Sequence, residues 1–293
     1  MPGLDSTQAQ CVENLRREGT VVLDKYLGAE TVLKLREQFD EALRALDFEM
    51  PCLAQTRLDP VRHRELIENY LYASPEQLES VGAAFSRGEA TSLDQVVSGF
   101  EPSTLTSYML ARSPLYRSVW LDPYILGIVA HYMGLVPKLA EAYVRRNFPA
   151  RFRVMNHYWH RDLNDHHQLV KVFIFLSDTS VDNGPHEFIR GSHIDLAVFN
   201  GQRYYTDAEI DVAYPPVSPR RLVSEVPAGT VIIEDTRGLH RAQNPHTGYR
   251  DLGYAVFVPL PDNTRLHCYD FPAADADDLT AFQRAFIPRG VLR

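Results

Sequence analysis

The sequence predicts a mainly β protein with flanking helices, and three observations support this prediction. Between about Lys138 and residue 260, short runs rich in β-branched and aromatic residues alternate with turn residues. Ahead of this region, apolar residues recur at helical spacing. Strands this short and this closely spaced are typical of a sandwich or jelly roll, not of a parallel α/β sheet. We therefore expect one domain, 1–293, with a mostly helical region 1–137, a β core 138–260 and a C-terminal extension 261–293.

The composition limits the class of protein. The chain has 293 residues, of which 45% are hydrophobic and 23% charged, and this suits a large single core. A net charge of −8 and scattered Lys and Arg residues argue against a nucleic-acid partner. No secretory signal and no membrane-spanning run is evident, so we expect a cytoplasmic protein without a membrane partner. Three cysteines, Cys11, Cys52 and Cys268, are too few and too separated for a disulfide framework.

Helices are predicted where apolar residues repeat every three or four positions. The candidates are 6–17, Ala29 to about Leu46, 61–72, 75–86, 92–99, Leu115–Met133 and 277–286. Ser6 is the expected N-cap of the first helix, and Pro123 should start or interrupt the helix that contains it. A short strand, 20–23, is expected between the first two helices.

The β core is predicted as a series of short strands. The candidates are 139–147, 153–159, 169–177, 185–189, 221–226, 229–235 and 250–258. Asp182-Asn183-Gly184-Pro185 and Pro227-Ala228-Gly229 are strong turn signals between them. The long polar loop 194–220 is expected to act as a lid or binding loop.

A metal site is predicted around the triplet His160-Arg161-Asp162. In an extended chain residues i and i+2 point to the same side, so His160 and Asp162 converge on one point. A second histidine, His240, follows a later strand-like run. Two histidines and one carboxylate form the facial triad that holds non-haem iron(II) and leaves positions open. Arg250 opens the next strand, and its planar fork suits the far carboxylate of 2-oxoglutarate.

Several motifs strengthen this interpretation when they are taken together. They are Trp159-His160-Arg161-Asp162, Phe173-Ile174-Phe175-Leu176-Ser177-Asp178, Asn183-Gly184-Pro185-His186 with Gly191-Ser192-His193, and Leu239-His240-Arg241. In this order they resemble the phytanoyl-CoA dioxygenase family over roughly 139–260. The resemblance implies a double-stranded β-helix (a cupin-like jelly roll) with iron(II) on His160, Asp162 and His240. It also implies 2-oxoglutarate and O₂ as cosubstrates, with Arg250 on the distal carboxylate. Arg190 departs from the family, where proline is common.

Three further residues are candidates for cosubstrate binding. Odd positions of the run 169–176 share one strand face, so Lys171 and Phe175 point together. If that face lines the barrel, Lys171 is a second cation for a carboxylate and Phe175 a wall of the pocket. The alternative for Lys171 is a side chain that snorkels at the rim. Asn156 would hydrogen-bond the 2-oxo acid, or else lie at a strand edge. Arg161 and Arg241 are expected in surface ion pairs, with the substrate or carboxylates near the iron ligands as the alternative partners, and Trp159 is expected in packing.

The predicted activity is that of an iron(II)/2-oxoglutarate-dependent dioxygenase. It would hydroxylate a small-molecule metabolite or natural product and release succinate and CO₂. A polar or anionic substrate is suggested by residues of the long loop, namely Arg203, Tyr204, Tyr205, Tyr214, Arg220 and Arg221. Two alternatives remain open: a non-oxidative cupin-like enzyme with another divalent metal, and a non-catalytic binding protein on the same scaffold. The sequence indicates no oligomeric state.

Overall fold

Two antiparallel sheets form the centre of the protein. The computed structural model describes residues 1–44, 104–149, 155–162, 168–199, 204–261, 271 and 273–292. Its strands are β1 (Thr20–Leu23), β2 (Thr104–Ser107), β3 (Lys138–Asn147), β4 (Val170–Phe175), β5 (His186–Ile189), β6 (Arg221–Val223), β7 (Val231–Asp235), β8 (His240–Ala242) and β9 (Arg250–Val258). The large sheet has the order β1-β7-β4-β9-β3-β2 and the small sheet β6-β5-β8. Strands that follow one another in the chain are distributed between two sheets, as in a jelly roll.

The described helices pack mainly against the outer face of the large sheet, apart from the helix Asp207–Ala213, which packs beside the small sheet. They are α1 (Ser6–Glu18), α2 (Ala29–Arg44), α3 (Met109–Arg112), α4 (Pro114–Trp120), α5 (Pro123–Met133), α6 (Asp207–Ala213) and α7 (Ala281–Arg284). Short 3₁₀ turns occupy Met155–His157, Val181–Asn183, Ala273–Ala276 and Arg289–Val291. Within the described residues, no helix combines the length and apolar character that crossing a bilayer requires.

The two faces of the large sheet carry different residues because side chains alternate along each strand. On β4 and β9, Val172, Ile174, Ala255 and Phe257 belong to the apolar core that contains the helices. Their neighbours in sequence face the space between the two sheets, which we call the lumen. Lys171, Phe173 and Phe175 of β4 therefore share the lumen face, and β9 adds Arg250, Leu252 and Tyr254 to it.

The prediction of a mainly β jelly roll with flanking helices is confirmed. The first two helices and the strand between them lie where the sequence predicts them, although residues 45 and 46 lie outside the described ranges. Leu115–Met133 divides into two helices at Leu121 and Asp122, because the carboxylate of Asp122 caps the second helix ahead of Pro123. The candidate helices 61–72, 75–86 and 92–99 also lie outside the described residues.

Three local predictions were wrong. The N-cap of α1 is Asp5 and not Ser6, since Asp5 and Gln8 form a reciprocal capping box. The described part of the expected strand 153–159 begins with a 3₁₀ turn, and only Trp159 enters a β-bridge. Of the helix expected at 277–286, only one short turn, α7, is formed. The strands β2 and β8 were not predicted.

Candidate metal centre

Backbone hydrogen bonds bring the predicted metal ligands together. His160 and His240 form an antiparallel bridge in which each N–H donates to the carbonyl of the other, at 3.0 Å in both directions. The N–H of Asp162 donates to the carbonyl of Thr236 at 2.8 Å. The turn that precedes β8 is therefore attached to the segment 160–162 at both of its ends.

The three side chains converge on one point. One donor atom from each of His160, Asp162 and His240 lies within 4.8 Å of the others. The Asp162 carboxylate is 3.8 Å from Nε2 of His160 and 3.4 Å from Nε2 of His240. Groups of these three types at this spacing are able to share one metal ion.

Both imidazoles are oriented as metal ligands by backbone carbonyls. Nδ1 of His160 lies 2.8 Å from the carbonyl oxygen of Tyr158, and Nδ1 of His240 lies 2.9 Å from that of Gly238. A carbonyl oxygen only accepts, so Nδ1 carries the proton and Nε2 presents its lone pair. Burial, and then the neighbouring His240, lower the pKa of His160 to about 3, which keeps the ring neutral near pH 7.

The close approach of Phe188 requires a glycine before His240. A Cβ atom at Gly238 would lie 2.4 Å from the ring of Phe188, which is closer than side chains pack. Without that side chain, the carbonyl of Gly238 can reach His240 while the ring of Phe188 fills the space behind it. The glycine therefore sets the position of this histidine.

Asp162 is held as a carboxylate. Burial raises the pKa of Asp162, but Lys171 and the two histidines outweigh burial and place the pKa well below its usual range. Nζ of Lys171 is 2.5 Å from the carboxylate. The residue expected to bind a cosubstrate therefore pairs with a candidate metal ligand in this structure.

Arg250 lies beside the three candidate ligands as a buried cation with unused donors. Its side chain is fully enclosed, and its Nη2 donates to Oδ1 of Asn147 at 3.3 Å. Its Nε and Nη1 have no hydrogen-bond partner among the described residues. Burial lowers the pKa of Arg250 to about 10, so the group is still charged at neutral pH. A buried cation with two unbonded donors is uncommon and suits an anionic partner.

A small cavity joins Arg250 to the histidines. It has a volume of about 70 Å³, which is room for roughly five water molecules. Its walls include Asn147, Asn156, Lys171, Phe173, His186 and Tyr254.

The sequence was compared with known protein families. The model of the phytanoyl-CoA dioxygenase (PhyH) family matches residues 15–250 of the chain. The chain belongs to the phytanoyl-CoA dioxygenase family. The resemblance found in the motifs around His160 and His240 is thereby confirmed, together with the expected class of non-haem iron, 2-oxoglutarate-dependent enzymes. No curated protein sequence matches the chain.

Several solved structures have a similar fold. The carbocyclase SnoK from nogalamycin biosynthesis has a TM-score of 0.55 at 19% identity, over 88% of this chain and 85% of that chain. HygX from Streptomyces hygroscopicus, with nickel, 2-oxoglutarate and hygromycin B bound, has a TM-score of 0.51 at 17% identity, over 87% and 88%. The epimerase SnoN, in complex with Fe³⁺, α-ketoglutarate and nogalamycin RO, has a TM-score of 0.54 at 15% identity, over 87% and 84%. At these identities the likeness shows the fold.

Two of the remaining candidates line the cavity of this family member and one does not. Asn156 lines it, and its buried Oδ1 has no partner among the described residues. Lys171 also lines it, from the lumen face of β4. Phe175 is fully buried on the same face but is absent from the cavity wall, where Phe173 stands instead. The face predicted for this strand is therefore observed, while the aromatic wall lies two residues earlier.

The sequence did not single out the pair His186 and Glu234. Nε2 of His186 lies 2.7 Å from the Glu234 carboxylate, and both side chains are almost fully buried. His186 lines the cavity, and its ring centre is 5.8 Å from that of His240. One signal was available, because Glu234 is an acid that directly follows the apolar run 231–233 within the predicted strand 229–235. A charged residue inside a buried strand needs a partner.

The expectation of surface ion pairs for Arg161 and Arg241 was wrong. Both side chains are buried, and Arg161 donates only to backbone carbonyls. Arg241 bonds the carboxylates of Glu187 and Asp207. The guanidinium of Arg241 also lies 4.8 Å from the ring centre of Trp159, which is fully buried as expected for a packing residue.

Most residues of the long loop are used within the protein itself. Tyr205 and Tyr214 are buried in an apolar cluster with Trp159. Arg221 pairs with Asp211 of α6, and the exposed Arg220 donates to the carbonyl of Arg190. Tyr204 remains near the metal centre, with its ring 6.2 Å from that of His160, while Arg203 lies outside the described residues. These contacts withdraw most of the support for an anionic substrate.

Proposed function

We propose that this protein is an iron(II)- and 2-oxoglutarate-dependent oxygenase that hydroxylates a small organic molecule. The observation that carries the proposal is Arg250. An arginine enclosed in the protein with two unbonded donors, next to a triad of two histidines and an aspartate, suits an anionic chelator of the metal. Neither a purely structural role nor a simple hydrolytic metal site explains it.

His160, Asp162 and His240 would hold the iron(II) ion. Their donor set is the one preferred by non-haem iron oxygenases, and Nε2 of each ring is already directed by a backbone carbonyl. Bound there with 2-oxoglutarate and O₂, the ion would supply the oxidation of a substrate C–H bond, coupled to conversion of 2-oxoglutarate to succinate and CO₂. The protein supplies position and keeps water away.

Arg250 would bind the distal carboxylate of 2-oxoglutarate. Its unbonded Nε and Nη1 leave charge-assisted donors for this anion, and a guanidinium is a preferred partner of carboxylates. Asn156 is proposed as a donor to the 2-oxo acid through its amide. Lys171 is proposed as a second cation near the metal, where it already lies beside Asp162.

A small molecule is proposed as the primary substrate. HygX has been solved with hygromycin B and SnoN with nogalamycin RO, and both share this fold. In this chain the rings of Tyr158 and Tyr204 lie 6.2 Å apart beside His160, so an aromatic surface flanks the metal centre. We therefore propose a metabolite or natural product that packs on these rings.

The decisive experiment measures succinate formed from 2-oxoglutarate with and without O₂, iron(II) and candidate substrates. The proposal expects succinate only when O₂, iron and 2-oxoglutarate are all present, and an increase when the substrate is added. A non-oxidative metal enzyme would bind the ion without forming succinate, and a binding protein would do neither. Asp162→Ala serves as the control for background oxidation by free iron.

A further inference from the structure

The side chain between two of the candidate ligands is bonded at every donor. Arg161 lies between His160 and Asp162, its side chain is buried, and each of its five N–H groups donates to a backbone carbonyl. The acceptors are the carbonyls of Ser192, Asp195, Val198, Phe199 and Arg237, at distances between 2.6 and 3.2 Å. A guanidinium has five donors, so none is left over.

These bonds add to the other contacts of one segment, in which Ser192 and His193 are also hydrogen-bonded and Phe199 packs on Tyr205. Four of the five carbonyls belong to the segment 192–199, which contains turns and no strand. Phe199 adopts a φ of 54°, a conformation that a bulky residue rarely takes without support. No acidic side chain among the described residues forms an ion pair with Arg161, and burial lowers its pKa. The carbonyl groups of the segment 192–199 are therefore the principal partners of Arg161.

The same residue is attached to the metal centre through its backbone. Its two neighbours in the chain are candidate ligands, and they bond to His240 and to Thr236. Its Nη1 also holds the carbonyl of Arg237 in the turn before His240. We propose that Arg161 is a positioning residue that couples the segment 192–199 to the metal ligands. Metal binding and the order of that segment would then stabilise each other, since such coupling is reciprocal.

The inference rests on the proposed iron site, and Arg241 provides a matched comparison. Arg241 follows the ligand His240 as Arg161 follows the ligand His160, and both side chains are buried. Arg241 bonds to the carboxylates of Glu187 and Asp207, which lie outside the segment 192–199. A lysine keeps a carboxylate partner by its charge alone, whereas three donors cannot replace five bonds to separate carbonyls.

The test compares Arg161→Lys with Arg241→Lys. Nickel(II), which does not react with O₂ here, is titrated into each protein, and amide hydrogen exchange is followed in peptides covering 192–199. We expect Arg161→Lys to bind nickel(II) about 10- to 100-fold more weakly, as for other residues that support metal ligands. Its segment 192–199 should also exchange faster even without the ion. Arg241→Lys should bind nickel(II) nearly as tightly as the wild type.

The wild-type protein provides an independent measurement if Arg161→Lys fails to fold. Nickel(II) should slow exchange at 192–199 but leave the turn 178–184 unchanged. Two results would contradict the coupling and leave the proposed function intact. One is a nickel(II) affinity in Arg161→Lys equal to that of the wild type. The other is a rate of amide exchange at 192–199 that is the same with and without nickel(II). A wild type that binds no nickel(II) overturns both.

Discussion

The two faces of the large sheet differ in what they do for the protein. On the outer face, Ala255 and Phe257 of β9 pack against the helices and are completely buried. On the lumen face, Arg250 of the same strand keeps unbonded donors in a cavity, and Lys171 of β4 contacts a candidate metal ligand. One strand therefore contributes alternately to stability and to chemistry. Substitutions one residue apart should separate the two contributions.

The largest effect is expected at the metal centre. Asp162→Ala removes one of three candidate ligands, so we expect iron(II) affinity to fall by more than roughly 100-fold and succinate formation to stop. Asp162→Ala also removes the ion pair with Lys171, but both side chains are partly exposed, so the free energy of unfolding of the metal-free protein should fall by only about 1 kcal/mol. Metal content after reconstitution and chemical denaturation measure the two quantities. Asp182→Ala, an exposed acid, is the control and should retain the metal.

The opposite result is expected on the outer face. Phe257→Ala leaves a cavity beside Phe286, whose ring is 5.9 Å away, and should lower the free energy of unfolding by about 3–5 kcal/mol. Urea denaturation measures this loss. At a temperature where the variant is folded, its affinities for iron(II) and 2-oxoglutarate should equal those of the wild type. A weaker metal site in the folded variant would show that the two faces are not independent.

The difference between the faces also explains what the sequence could predict. Strand alternation is a local pattern, so the shared face of Lys171 and Phe173 and the meeting of His160 with Asp162 follow from spacing. Arg161 and His186 depend on partners far along the chain. The Arg161–Arg237 bond spans 76 residues and the His186–Glu234 bond spans 48. The spacing of residues in the sequence does not reveal contacts between such distant positions. Without that information, an arginine next to a metal ligand is expected at the surface.

Local geometry accounts for the remaining errors. The residues 155–157 form a 3₁₀ turn within the expected strand 153–159. Its last residue, His157, is followed by Tyr158, whose carbonyl orients the ring of His160. Tertiary contacts of this kind outweigh the weak intrinsic preference of a short segment.

A smaller effect is expected at Arg250, where one substitution should weaken cosubstrate binding and yet raise the free energy of unfolding. Arg250→Met should weaken 2-oxoglutarate binding about ten- to hundred-fold, because a bidentate charged contact is lost. Without 2-oxoglutarate the variant should be about 1 kcal/mol more stable than the wild type, since two unbonded buried donors disappear. The lowered pKa of Arg250, about 10, supports the same direction of change, because the folded state holds this proton less tightly than the unfolded state does. The charge therefore costs stability at every pH below about 10.

Urea denaturation with and without 2-oxoglutarate measures both changes in Arg250→Met. An excess of cosubstrate should stabilise the iron-loaded wild type, by about 2.7 kcal/mol at 100 times the dissociation constant, and the variant much less. Lys34→Met, an exposed cation on α2, is the control and should respond as the wild type does. Equal stabilisation of Arg250→Met would assign the carboxylate to Lys171 or to another cation.

The smallest effect is expected at Glu234, which lies on the lumen face but connects the two sheets. Its carboxylate bonds His186 of the small sheet and accepts from the hydroxyl of Thr20 on β1. Glu234→Gln keeps the size and one acceptor but loses the charge, so we expect a loss of about 1 kcal/mol in the free energy of unfolding. Metal affinity should not change, because neither of these bonds involves a ligand. Combining Glu234→Gln with His186→Asn should cost less than the sum of the single changes. If Glu234→Gln instead lowers product formation at unchanged stability, the pair His186 and Glu234 acts on the bound substrate. The lumen face would then contribute to the reaction at β7 as well as at β4 and β9.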